Sequence, residues 1–202
     1  MRFKPPKFLR ELMPELVWDI PAGGDVFLTF DDGPTPGVTE WILDELARHD
    51  ARATFFCLGR NVELYPELYA RILAAGHRVG NHTHNHLKGW GCDAVRYAAD
   101  VDRAARTIDS PLFRPPYGRI SPREARLVGQ RYRIVMWNII SRDYNRRLSP
   151  HTCLENVVRH VQAGDIIVFH DSLKAFRNMS YALPRTLEYL RERGMNSKAI
   201  EL

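Results

Sequence analysis

Cysteine is scarce in this chain: three in 202 residues, Cys57, Cys92 and Cys153, scattered and odd in number. A disulfide framework is thereby excluded as the basis of the fold, and a reducing compartment suits the pattern. Cys57, inside Thr54-Phe55-Phe56-Cys57-Leu58, reads as an inert core thiol. Long hydrophobic runs are also missing, so no segment is expected to span a bilayer. The start, Met1-Arg2-Phe3-Lys4-Pro5-Pro6, lacks the continuous apolar stretch of a secretory leader, and a cytoplasmic location is the expectation. No helix-turn-helix, RNA-binding signature or zinc-finger spacing is present, which argues against nucleic acid as a partner despite a net charge of +5. The basic residues are spread out and read as a solvated surface, with Arg142, Arg146 and Arg147 as the one local cluster near the candidate site. There is no internal repeat, low-complexity tract or linker, and no pattern specifies an oligomeric state.

Apolar content of 45% and charged content of 26% belong to a folded globular chain, and the length suffices for one sizeable core but not for two comfortable domains. Strand-like runs at 26–30, 53–58, 78–81, 133–137 and 165–169 alternate with helical patterns at 39–49, 61–75, 92–108 (the longest), from 121, from 149 to Gly164, and 183–193. Ser121-Pro122-Arg123-Glu124 carries a capping box. Such alternation predicts an α/β architecture with parallel strands. Residues 1–24 are expected to form an N-terminal segment packing on a single main domain of residues 25–202. Within that segment, 8–18 has an apolar side with basic flanks. It is expected to cover the open end of the domain, with peripheral membrane contact as the alternative.

Chemistry concentrates in four stretches. Thr29-Phe30-Asp31-Asp32-Gly33-Pro34 follows an apolar strand and ends in a turn. Two adjacent carboxylates repel, and burial adds to the cost, so each is expected to have a raised pKa unless a cation relieves the pair. A metal ion would do so: one carboxylate would bind it and the other would take a proton from water. The bland alternative is a solvated Asp-Asp-Gly turn. Gly80-Asn81-His82-Thr83-His84-Asn85-His86 packs three of eight histidines into five residues. On a helical turn, His82 and His86 share a face and His84 points away; in an extended segment all three would share a face. The helical pair is the preferred reading. One carboxylate and two imidazoles leave an open position, as catalytic sites do, and suit Zn2+, with Co2+, Ni2+ or Fe2+ compatible with the ligand types. Phe113-Arg114-Pro115-Pro116-Tyr117-Gly118 is a rigid loop in which Arg114 can fork onto a carboxylate such as Asp31. The Tyr117 N–H is the first free donor after two prolines, available to an oxyanion. Finally, Asp165-Ile166-Ile167-Val168-Phe169-His170-Asp171 delivers His170 at a strand end, where a histidine can act as general acid.

The four motifs, TFDDGP, HTxxH, RPPY and the apolar strand ending in His, stand in an order that resembles the NodB-type polysaccharide deacetylases, carbohydrate esterase family 4. The resemblance runs from about Val26 to the last helix. It implies a distorted (β/α) barrel of about seven parallel strands and a metal-dependent hydrolase removing N-acetyl groups from GlcNAc-containing glycans of chito-oligosaccharide or peptidoglycan type. It implies Asp31 as base, Asp32, His82 and His86 as metal ligands, Arg114 as tether of the base, Tyr117 as oxyanion donor and His170 as acid. An O-acetyl esterase of acetylxylan type and a catalytically weak, metal-containing glycan-binding module are the alternatives. One family element departs. In Ile140-Ser141-Arg142-Asp143-Tyr144, Ile140 stands where the first Asp of Asp-x-x-Asp-Trp is usual, and Tyr144 replaces Trp. With Ile140 as neighbour, His170 is expected to have a lowered pKa, and Asp143 or Asp171 is the candidate substitute for orienting it.

Overall fold

The structure, a computed structural model, describes residues 7–21 and 23–201. Its frame is one sheet of eight strands: β1 (Leu16–Val17), β2 (Phe27–Asp31), β3 (Ala53–Cys57), β4 (Arg78–Asn81), β5 (Leu112–Phe113), β6 (Arg133–Val135), β7 (Ile139–Ile140) and β8 (Ile166–His170). Their order is β1-β6-β5-β4-β3-β2-β8-β7, and every pairing is parallel. The sheet curls into a half-barrel with β1 and β7 as its ends. This is the expected distorted (β/α) barrel, with eight strands where about seven were expected. Leu16 and Val17 enter the sheet as β1 beside β6, and Met13, Leu16 and Trp18 are buried.

Strands buried on both faces need apolar residues at both parities. Leu28, Phe30, Phe55 and Phe169 face outward and pack under helices with Ile42, Leu46 and Leu183. Phe27, Phe56 and Ile166 face inward with Val135 and Ile200. Phe30 stacks on Phe55 at 5.0 Å between ring centroids, a contact worth roughly 0.5–1.5 kcal/mol beyond its buried area. The same alternation puts Thr29 and Asp31 on the inner face.

The helices are α1 (Lys7–Leu12), α2 (Val38–Arg48), α3 (Gly59–Leu64), α4 (Pro66–Ala74), α5 (Ala94–Ala104), α6 (Pro122–Gly129), α7 (Pro150–Val158) and α8 (Phe176–Glu192). The capping box is present: the Ser121 hydroxyl accepts from the Glu124 N–H and Glu124 Oε2 from the Ser121 N–H. Three helical expectations are corrected. The single helix over 61–75 is two, broken at Tyr65, because the residue before Pro66 is pushed out of helical backbone. The helix over 92–108 is shorter, since the Asp93 carboxylate caps it by accepting from the Val95 and Arg96 N–H groups. The last helix begins at Phe176 rather than 183 and, at 17 residues, is the longest described. Asn178, Ser180 and Pro184 weaken its local signal. Burial of Met179, Ala182, Leu183, Leu187 and Leu190 overrides it.

Candidate active site

The site gathers at the C-terminal ends of the strands, where loops can vary without disturbing a barrel. At its base lies Arg114, wholly buried just beyond β5. A buried guanidinium requires partners for its donors. Nη1 donates to Asp31 Oδ1 and to Thr29 Oγ1, both at 2.7 Å; Nε donates to the Val135 carbonyl and Nη2 to the Met136 carbonyl, both at 3.0 Å. The guanidinium carbon also sits 4.0 Å over the Phe56 ring. Asp31 is thus fixed through one oxygen.

Asp32 follows with φ 86, a conformation few non-glycine residues adopt. The turn is braced on several sides. Asn61 Nδ2 donates to the Asp32 carbonyl at 2.8 Å, and the Leu58 N–H to the Gly33 carbonyl at 2.9 Å. Gly33 is required by close approach, since a Cβ there would stand 2.0 Å from Asp171 Oδ2. Asp171 is buried, accepts from the Thr39 hydroxyl at 2.7 Å and donates its N–H to the Asp31 carbonyl at 2.7 Å. Burial pushes its pKa up to about 8. Asp171 therefore supports the Asp31-Asp32-Gly33 turn and is not the partner of His170.

The histidine segment is an irregular loop, not the helical turn expected. Thr83 and His86 have positive φ, 65 and 59. The path is set by polar contacts. Asn81 Oδ1 accepts from the Thr83 N–H at 2.8 Å, Thr83 Oγ1 from the Leu87 N–H at 3.0 Å, and Asp100 Oδ2 from the His84 and Asn85 N–H groups, both at 3.0 Å. His82 and His86 still converge, with ring centroids 5.2 Å apart, and His84 faces Glu63 instead. Ligand atoms of Asp32, His82 and His86 all lie within 4.8 Å of one another. Asp32 Oδ1 lies 3.2 Å from His86 Nε2 and 3.8 Å from His82 Nε2, is buried, and lacks a hydrogen bond of normal geometry. His82 Nδ1 donates to the Arg114 carbonyl at 2.8 Å, which leaves Nε2 with its lone pair toward Asp32. Burial lowers the His82 pKa to about 4, so the ring is neutral and ready to ligate. Burial would raise Asp32, but His86 beside it and the charges of His170 and His82 pull it below the usual carboxylate range. The expected mutual elevation of the two aspartates is therefore not found at Asp32. An orphaned buried carboxylate oxygen between two imidazoles fits a divalent cation.

His170 ends β8 and meets Asp143 twice: its N–H donates to Oδ2 and its Nδ1 lies against Oδ1, both at 2.7 Å. Burial would lower its pKa, but the charge and hydrogen bond of buried Asp143, with Asp32 and Asp31 behind, carry it up to about 9. The expectation of a lowered pKa beside Ile140 is overturned because Asp143 does the orienting. Ile140 is an apolar part of the cavity wall, and the Tyr144 ring packs edge-on to His170 at 4.9 Å. Tyr117, at φ 60 in a short 3-10 turn Pro116–Gly118, is 62% exposed, and its ring leans on His86 at 4.6 Å. Asp31, Asp32, His82, His86, Tyr117 and His170 line one cavity of about 820 Å3. Sequence reading did not single out Asn61, Asn81, Thr29 or Asp100 as supports. Only Asn81, next to His82, carried a signal.

Comparison with known proteins agrees with this frame. A family model for polysaccharide deacetylase matches residues 20–134, and the chain belongs to that family, a class of hydrolases. It is 31% identical over 196 residues to a peptidoglycan-N-acetylglucosamine deacetylase of Bacillus cereus, covering 92% of each chain. It is 34% identical over 160 residues to a chitooligosaccharide deacetylase of Rhizobium leguminosarum bv. trifolii, covering 74% of each. Among solved structures, the Bc1960 peptidoglycan N-acetylglucosamine deacetylase in complex with 4-naphthalen-1-yl-N-oxidanyl-benzamide superposes with a TM-score of 0.88 at 28% identity, over 98% of this chain and 95% of that one.

Proposed function

We propose that this chain hydrolyses N-acetyl groups on GlcNAc-containing glycans, with Asp31 as general base, His170 as general acid, and Asp32, His82 and His86 as ligands of a divalent cation, most simply zinc. One observation carries the reading: an Arg-tethered carboxylate, a carboxylate–imidazole cluster and an Asp-supported histidine face a single cavity. When bound, the cation would supply Lewis-acid polarisation of the acetyl carbonyl and acidify water. Arg114 holds Asp31 in one orientation, so the carboxylate is in place to accept the proton of the attacking water. The backbone N–H of Tyr117 donates to the developing oxyanion. His170, kept protonated by Asp143, gives its proton to the departing amine, which leaves poorly without one. The O-acetyl esterase alternative needs no strong acid, because an alkoxide leaves more readily than an amine, and the Asp143–His170 contact removes the support it drew from Ile140. Acetate release from N-acetylated chito-oligosaccharides, with zinc and after chelation, tests the proposal. Asp31→Asn should cut kcat by about 10^2–10^4-fold, the usual scale of general-base loss, while zinc still binds by calorimetry. Full activity in Asp31→Asn, or activity indifferent to chelation, overturns it.

A further inference from the structure

Asp143 reaches His170 from the segment between β7 and α7, a run of turns rather than helix or strand. Both of its carboxylate oxygens meet that one histidine, so the path of the loop backbone decides where the carboxylate points. The middle of this path is disfavoured: Arg142, exposed, has φ 61, a conformation that few non-glycine residues adopt and that persists only where the surroundings impose it. Two asparagines from the flanking helices do so. Asn156 Nδ2, on α7, donates to the Ser141 carbonyl at 3.0 Å. Asn178 Nδ2, on α8, donates to the Asp143 carbonyl at 3.1 Å and to the Asn145 carbonyl at 3.2 Å. The backbone is thus pinned on either side of Arg142. Asn178 is buried, and its Oδ1 has no hydrogen bond. An apolar residue of similar volume would pack there without leaving a buried oxygen unpaired, so packing does not account for an amide at this place. What the amide supplies is its donors to the loop that carries Asp143. Three carboxylates face His170, and two of them, Asp31 and Asp32, stand at the end of β2 with contacts of their own to Arg114, His82 and His86. Tyr144 packs edge-on to the imidazole, and Lys174 stands 5.7 Å over the Tyr144 ring. Of the three carboxylates, Asp143 is the one whose place depends on this loop.

We infer that Asn178 is a positioning residue for the proposed acid: from α8 it holds the 141–145 loop so that the Asp143 carboxylate is aimed at the His170 ring. The inference rests on the deacetylase reading above and extends its machinery to a helix that contributes no residue to the cavity wall. The test follows acetate release from N-acetylated chitotetraose by the zinc-loaded enzyme across pH. Asn178→Leu keeps much of the volume and removes the donors. The Asp143–His170 contact should loosen, and the basic limb of the kcat profile should move down by about one pH unit, a loss of about tenfold in kcat on the alkaline side. KM should change less than about twofold, because Asn178 stands outside the cavity. Asn178→Ser, which keeps a donor, should move the limb the same way by less. In an Asp143→Asn background neither substitution should add a further shift, the sign of an effect that passes through Asp143. A limb unmoved in both variants, even with kcat lowered, or one that moves as far in the Asp143→Asn background, overturns the inference while leaving deacetylation intact. So does a chain that folds with neither substitution, which would make Asn178 a structural residue. Absence of acetate release by the wild type sinks the deacetylase reading instead, and a limb indifferent to Asp143→Asn itself sinks the acid assignment together with the inference.

Discussion

At the scale of single residues, the proposed acid step depends on one contact. His170 is charged below about 9 because Asp143 outweighs the cost of burial. If it is the proposed acid it must be protonated to donate, so the rate should fall as pH rises through that value. Asp143→Asn removes the charge, lets burial dominate, and should shift the basic limb of the kcat–pH profile to lower pH; Asp171→Asn should not move it, because Asp171 contacts Thr39 and the backbone of Asp31 instead. A limb unmoved in Asp143→Asn would refute the assignment. Arg114 sets a different kind of dependence. Replacing it by Met would leave Asp31 buried without its cation and strand the Val135 and Met136 carbonyls. Breaking one side of a buried pair costs about 3–5 kcal/mol, readable as a lower urea midpoint at pH 7.

At the scale of elements, the loop from β4 to α5 carries two of the three candidate ligands without regular structure. Asn81 holds its start: Nδ2 donates to the Val101 carbonyl at 3.0 Å and Oδ1 accepts from Thr83. Asn81→Ala should weaken zinc affinity by about 10–100-fold, the range for groups that orient ligands, with the helical signal in circular dichroism unchanged. The motif Asn-His-Thr-His-Asn-His was legible because it is a local string. Its helical reading failed because the geometry comes from hydrogen bonds with Asp100, Gly59 and Val101, distant in the chain, which sequence spacing does not carry. The long strands β2, β3 and β8 were readable as apolar runs, whereas β1, β5 and β7 have two residues each, too few for any periodicity to register. Asp143 was nameable as a partner for His170, but choosing it over Asp171 required the fold.

At the scale of the whole molecule, stability should fall on mild acidification. His77 is buried, accepts the Ala53 N–H at 3.3 Å, and is lowered to about 4, chiefly by burial and then by Arg52. Below the ordinary histidine value of about 6.5 the unfolded chain takes up the proton first. Stability contributed by the neutral ring is therefore complete above that value and drains away between about 6.5 and about 4. A urea midpoint lower at pH 4.5 than at pH 7, with the gap narrowed in His77→Gln, is the expected result; an unchanged gap would assign the loss to other groups. Arg114, finally, ties the proposed base to the architecture. The same guanidinium that aims Asp31 also clips β2 to the end of β6 through Thr29 and Val135. A lineage abandoning this chemistry could discard a metal ligand and keep its shape, but it could not drift freely at Arg114 or at the Asp31 paired with it, so a silent descendant would still wear the buried arginine as a fossil of the reaction.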